Sequence, residues 1–200
     1  MSIAAAPAAG TPLDKYFDGL TTLRATFTQT VKDARGKDVD RSTGTLVVSR
    51  PGKFRWEVQP KAGGTASGQL LVADGRNVWF LDRDLEQVTV KPIDTALSST
   101  PAMLLSGASD LRESFKVTPA GTRDALDWAL VEPKRAEADF RRALFGFGKS
   151  GTLERMIIDD RLGQTATIDF DRVERNARVA PEEVSFTPPP GTDVIGKPAS

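Results

Sequence analysis

After an alanine-rich start, the hydrophobic pattern of the chain is helical. Leu13, Phe17 and Leu20 recur at i, i+4 and i+7, with Tyr16 and Leu23 flanking them on one broad face. Thr11 is placed to cap this helix, Pro12 suits its first position, and Asp14 lies near the positive end. Around Leu23 the period changes. Leu23, Ala25, Phe27, Gln29 and Val31 alternate with Arg24, Thr26, Thr28 and Thr30, which predicts a strand with one face inward.

From there the pattern is mostly that of strands. Leu46 and Val48 alternate with Thr45, Val47 and Ser49, and Phe54, Trp56 and Val58 alternate with Arg55, Glu57 and Gln59. Residues 70–73 and 78–81 flank Asp74-Gly75, a strong hairpin signal. Further strands are predicted over 86–90, 114–118, 126–131, 142–147, 153–159, 165–170 and 183–187. About eleven short strands at this spacing predict a mainly β (α+β) fold, a large antiparallel sheet closed or half closed into a barrel. No internal boundary stands out. The expected organisation is a flexible N-terminal segment over 1–10, one β-barrel domain over 11–195 and a tail over 196–200.

One segment breaks the alternation. Thr100-Pro101-Ala102-Met103-Leu104-Leu105-Ser106-Gly107 begins with a cap and proline and ends with glycine, which predicts a helix of under two turns. Isolated helices need roughly 12–15 residues to be even marginal in water, so this one must dock its Met and Leu side chains on an apolar surface. Ordinary core packing and a mobile lid both account for that.

Composition narrows the chemistry. The 200-residue chain has 27 Lys and Arg, 27 Asp and Glu, and neither His nor Cys. That removes Ser-His and Cys-His nucleophiles, redox dithiols and His/Cys metal sites. Zero net charge argues against nucleic acid as a partner. No apolar run approaches the roughly 18 residues that span a bilayer. Residues 1–10 lack the basic and continuous apolar regions of an intact signal peptide, although their alanines suit the surroundings of a cleavage site.

Gly146-Phe147-Gly148-Lys149-Ser150-Gly151 fits G-x-G-x-x-G, and its Gly-Lys-Ser ends like a phosphate-binding loop. Ala143 stands where that loop needs its first glycine, and an alternating strand follows where a helix should open, so the segment reads as a hairpin turn. Asp159-Asp160 and Asp82-x-Asp84 could serve as acid/base groups or calcium ligands, but Asp-rich turns of this kind are more often solvated. Pro188-Pro189-Pro190 ends strand pairing, because proline cannot donate to a ladder.

Two features invite a function. Leu46, Val48 and Arg50 share one strand face if the strand reaches Arg50, and Pro51 keeps Arg50 extended. A buried guanidinium there needs acceptors, for which carbonyls at the end of a short helix are suitable; a solvated strand-end arginine is the alternative. The second feature is a set of aromatics on strands, among them Phe27, Phe54, Trp56, Trp79, Phe80, Trp128, Phe145, Phe147 and Phe170. They fill a core or line a ligand cavity, and composition leaves both open.

Several short motifs then follow in order: Phe27-Thr28-Gln29, Gly44-Thr45-Leu46, Arg50-Pro51-Gly52-Lys53-Phe54-Arg55-Trp56, Ala73-Asp74-Gly75, Val78-Trp79, Glu86-Gln87-Val88, Thr100-Pro101-Ala102-Met103-Leu104-Leu105 and Phe186-Thr187-Pro188-Pro189-Pro190-Gly191. In this combination the chain resembles the LolA family of periplasmic lipoprotein carriers, from about Leu13 to Val194. The resemblance implies an unclosed β-barrel with short helices as a lid over an apolar cavity. It implies Arg50 as the lid latch and Pro101, Ala102, Met103, Leu104 and Leu105 as the lid helix. Trp56 would face an acyl-chain cavity, whose expected lining is Phe27, Leu46, Val48, Phe54, Trp56, Leu71, Phe80, Phe145 and Phe147. Ala102 stands where a larger apolar residue can occur, so its contact would be shared with Met103 and Leu105. Implied partners are acylated lipoproteins, an inner-membrane LolCDE-type ABC transporter and the outer-membrane receptor LolB. The expected protein is a periplasmic monomer with no cofactor, no metal and no catalytic residue. A LolB-type receptor, which needs a lipidated N-terminal cysteine, and a LolA-like carrier or sensor of other lipids are the alternatives; an enzyme built on the glycine-rich turn and the carboxylates is a third.

Overall fold

The structure is a computed structural model describing residues 10–59, 68–96, 102–107, 111–135 and 138–199. The expected N-terminal segment up to residue 9, the cap and proline at Thr100 and Pro101, and Ser200 lie outside the described residues, as does the Ala102 side chain.

Helix α1 (Pro12–Phe17) starts at a reciprocal cap, in which the Asp14 amide donates to Thr11 Oγ1 at 3.2 Å and the Thr11 amide donates to Asp14 Oδ2 at 2.7 Å. It is shorter than the hydrophobic period suggests. Asp18 leaves the helical region and Gly19 turns left-handed with φ +64°, so Leu20 is carried inward by the turn, not by a third helical turn. Strands β1 (Thr22–Lys32), β2 (Asp38–Ser49), β3 (Lys53–Gln59), β4 (Gln69–Asp74), β5 (Asn77–Asp82) and β6 (Gln87–Pro92) follow as consecutive antiparallel pairs. Three short helices come next, α2 (Ile93–Ala96), α3 (Ala102–Ser106) and α4 (Leu111–Ser114). Strands β7 (Phe115–Arg123), β8 (Leu126–Pro133), β9 (Phe140–Phe147), β10 (Leu153–Asp160) and β11 (Thr165–Arg175) make a second meander, and β12 (Asp193–Ile195) ends the series.

All twelve strands form one sheet in the order β12-β6-β5-β4-β3-β2-β1-β11-β10-β9-β8-β7. The chain therefore builds outward from β1, whose two neighbours are β2 and β11, and the sheet curls without joining its edges β12 and β7. The strand expected over 183–187 is absent. Pro181 begins a single 3-10 turn, Pro181–Val184, and the Glu183 carboxylate is drawn away to Arg24 at 2.5 Å and to the Ala180 amide at 2.8 Å. Strand β12, by contrast, has too short a pattern to be predicted; it lies parallel to β6 through Val194 opposite Val88. Helices α2 and α4 escape prediction for the same reason.

The two sheet faces differ. The inner face carries the main core, in which Leu23, Phe27, Leu46, Val48 and Phe54 meet Phe145, Phe147, Met156 and Ile168. Outside, Leu70, Val72, Leu81 and Val88 form a small cluster capped by Trp79 and Phe186, whose rings lie 5.6 Å apart. The segment after β11 thus covers apolar surface on the outside of β4 to β6.

Candidate functional site

Helices α1 and α3 close one end of the inner face. Leu13 and Tyr16 from α1 and Met103, Leu104 and Leu105 from α3 are all buried in the main core. A five-residue helix has no stability of its own, so its position depends on this burial and on the contacts at its end. Gly52, in the β2–β3 turn, donates its amide to the Ser106 carbonyl at 2.8 Å, and the buried Ser106 hydroxyl donates to the Met103 carbonyl at 2.6 Å. Gly107 ends α3 in the left-handed region with φ +62°.

Arg50 follows the last residue of β2, where its amide donates to the Thr21 carbonyl at 2.8 Å. Its Nη1 donates to the Phe17 carbonyl at 3.3 Å, and its guanidinium lies 4.7 Å from the centre of the Phe17 ring. The other side of the guanidinium lies against Gly107, where a Cβ would collide with Arg50 Nε. Arg50 therefore touches the ends of both covering helices, bonding to α1 and packing on α3. Burial lowers its pKa from the usual arginine value, so the charge is held partly out of water.

Beside this closed end the inner face is open. A cavity of about 190 Å³ is lined by Gln29, Trp56, Val58, Gln69, Leu71, Phe80, Met156, Ile158 and Ile168. A second, of about 330 Å³, is lined by Leu71, Val78, Phe80, Thr89, Lys91, Ala96 and Asp139. Leu71 and Phe80 wall both. Of the nine expected lining residues, Trp56, Leu71 and Phe80 border these two cavities, and Phe27 stacks on Trp56 at 4.3 Å. Leu46, Val48, Phe54, Phe145 and Phe147 are instead packed in the core that α1 and α3 cover. Met156, Ile158, Ile168 and Val58 line the cavity without having been singled out in the sequence. The signal that could have found the site is Gln29, a polar residue at an inward position of an apolar alternation.

The chemistry-like motifs resolve into turns. The Gly148 amide donates to Thr152 at 2.9 Å in the β9–β10 hairpin, and the Glu154 carboxylate fills the space where a Gly148 side chain would stand. A carboxylate in that place opposes a phosphate. Asp82 Oδ1 accepts from the amides of Asp84 and Leu85, and Asp160 Oδ1 from those of Leu162 and Gln164. Asp159 is buried, accepting from Thr165 Oγ1 at 2.7 Å and Arg142 Nε at 2.5 Å.

Four carboxylates, Asp14, Glu57, Asp74 and Asp159, are held below their ordinary values despite burial, and Glu183 is lowered by its bond from Arg24. Burial alone would raise each of the four, but hydrogen bonds from Thr11, Arg83, Trp79 and Thr165 respectively, together with further donors and nearby arginines, outweigh it. Tyr16, desolvated, is pushed up to about 12. A depressed carboxylate stabilises the fold fully above its unfolded value, here 3.8 or 4.5, and that stability is lost as pH falls through the folded value. Ionising the buried phenol destabilises the fold as pH rises from 10 toward about 12. With no histidine in between, the melting temperature is expected to be level from about pH 5.5 to 9 and to fall on both sides. A step of several degrees between pH 6 and 7 in a thermal denaturation series would contradict this.

The family profile described as "Outer membrane lipoprotein carrier protein LolA" matches residues 18–187. An outer-membrane lipoprotein carrier protein from Nitrosospira multiformis is 38% identical over 92% of this chain and 87% of its own. One from Dechloromonas aromatica is 39% identical over 92% of this chain and 86% of its own. Among solved structures, an uncharacterized conserved protein from Thermus thermophilus superposes with a TM-score of 0.56 over 92% of this chain and 94% of that one, at 13% identity. That last likeness speaks for the fold alone.

Proposed function

The chain belongs to the LolA family of outer membrane lipoprotein carrier proteins, and from that premise we propose that it carries acylated lipoproteins by sheltering their acyl chains against the inner face of the sheet. The observation that carries the reading is a short helix, α3, laid by Met103, Leu104 and Leu105 onto an apolar sheet that still has open space beside it. Cavities of 190 and 330 Å³ reach only the lower end of the roughly 300–1,000 Å³ of ordinary ligand sites. Several acyl chains need more room than that, and withdrawal of α3 supplies it by uncovering Leu46, Val48 and Phe54.

Burying one chain of about 14 methylenes contributes up to roughly 11 kcal/mol at about 0.8 per methylene. Three such chains added together would exceed the practical ceiling of non-covalent affinity. A carrier that must release its cargo therefore needs an opposing term. Closure of α3 against the sheet supplies one, because loading has to break the Arg50 contacts and expose the leucines of α3. Binding and closure compete for the same surface, a population shift between an empty closed state and a loaded open one. In this reading Arg50 is the latch, residues 11–195 are the carrier domain, and the cycle runs through the periplasm from an inner-membrane ATP-driven transporter of the LolCDE type to the receptor LolB. No step makes or breaks a covalent bond. The relatives are named carriers, which does not favour the receptor reading.

The test is a release assay. Added to Gram-negative spheroplasts, the purified chain should bring newly made lipoproteins into the soluble fraction in a complex with itself. Lipoproteins that stay in the membrane pellet would overturn the proposal, as would purification with a different bound lipid and no lipoprotein.

A further inference from the structure

We propose that Arg175 is a positioning residue that clamps α1 to the sheet, so that when Arg50 lets go only α3 moves. The two arginines straddle β1. Arg50 follows β2 and Arg175 ends β11, and these are the strands on either side of β1. Both reach back over the start of β1 to the last turn of α1. Arg175 Nη2 donates to the Tyr16 carbonyl at 2.8 Å and to the Asp18 carbonyl at 3.1 Å, with its guanidinium 4.9 Å from the centre of the Tyr16 ring. Arg50 takes the Phe17 carbonyl between them. The end of a helix leaves such carbonyls without intrahelical partners; the Leu20 amide donates to that of Phe17 at 3.1 Å, and the two guanidinium forks supply donors to all three. Asn176 extends the clamp, its Nδ2 donating to Gly19 at 3.0 Å and its Oδ1 accepting from the Thr21 amide at 2.9 Å.

The division of labour follows from what each guanidinium touches. Arg50 lies against α3 at Gly107 as well as bonding to α1, whereas the described contacts of Arg175 are with α1 and its exit. Helix α1 needs the help. It has six residues, and its flank borders a cavity of about 260 Å³ shared with Phe147, Lys149 and Arg175, so apolar packing does not seal it there. The Tyr16 hydroxyl, though buried, has no hydrogen-bond partner among the described residues. Polar clamping compensates for incomplete packing on that flank. The inference rests on the carrier reading for its purpose but not for its geometry.

Native-state hydrogen exchange on the empty protein tests it. The amides of Lys15, Asp18 and Leu20 are hydrogen-bonded within α1 and its exit, and the Gly52 amide reports on the docking of α3. Arg175→Leu should speed exchange at the three α1 amides about tenfold, leaving Gly52 and the strand amides at wild-type rates. Arg50→Leu should do the reverse, speeding Gly52 more than α1. Arg175→Lys, which keeps the charge but loses the fork and the stacking, should fall between wild type and Arg175→Leu. Unchanged α1 amides in Arg175→Leu, or equal acceleration everywhere, would overturn the proposal. Because no cargo is used, a chain that failed the release assay yet showed this pattern would disprove the carrier function and leave the clamp standing.

Discussion

Arg50→Leu protein is expected to stay folded and to hold its cargo about 10- to 30-fold more tightly than wild type, with hand-over to an acceptor slowed to match. The sign follows from which state the side chain stabilises. Its bond to the Phe17 carbonyl, its position over the Phe17 ring and its contact with Gly107 all belong to the closed arrangement. A hydrogen bond from a charged donor contributes about 1.5–3 kcal/mol and a cation–π contact about 0.5–1. The guanidinium is only partly buried and the bond is long at 3.3 Å, so about 2 kcal/mol for the set is the reasonable scale. Removing it leaves the open, loaded state with less to compete against. Titration with a fluorescent fatty acid, followed by transfer to an acceptor, separates the two effects. Weaker binding, or transfer at the wild-type rate, would sink the latch. Gly107→Ala is an independent check. A methyl group there collides with the guanidinium and also forces an L residue into φ +62°, so it should shift binding in the same direction with Arg50 still present.

Much of this arrangement is legible in the sequence because its elements obey strong periodicities. Phe27, Leu46, Phe54 and Trp56 alternate cleanly, and each faces the core as the pattern requires. The Asp74-Gly75 signal does join β4 to β5. What escapes the eye is set by tertiary contact. Strand β12 has three residues and exists because the edge of β6 offers it a partner. Residues 183–187 alternate as a strand would, yet Pro181 and the pull of Arg24 on Glu183 turn them into a strap over the outer face. The expected lining shows the same limit. Period two tells which face a side chain takes but not whether a helix will cover it, so Val48 and Trp56 look alike in sequence although one is packed beneath the covering helices and the other borders the cavity. Residues 172–178 mix both charges and read as an exposed loop, yet β11 runs on through Arg175, whose role depends on carbonyls more than 150 residues away in the chain.

Leu71→Arg should abolish cargo binding while leaving an intact sheet. Leu71 is half-buried on β4, opposite Trp56 on β3 and Phe80 on β5, and it walls both cavities. In the empty protein the cavities are open, so a guanidinium at this position can keep its head in water and lay its methylenes along Phe80. Loading removes that option. An acyl chain against residue 71 would strip water from a charge with no carboxylate among the lining residues of the larger open cavity except Asp139, at its exposed rim. Even after relaxation, an unpaired buried charge costs several kcal/mol, and each 1.4 kcal/mol is tenfold in affinity, so a loss of about a thousandfold or more is expected. The cost falls on the loaded state alone. A melting temperature within a few degrees of wild type, together with loss of fatty-acid and lipoprotein binding, is the expected pair of results. Leu71→Met, which preserves volume and polarity, should bind as wild type does. If the arginine variant still brought lipoproteins into solution at the wild-type level, the acyl chains would have to lie somewhere other than along Leu71 and Phe80. The inner face between β3 and β5 would then be structural packing and not the carrying surface.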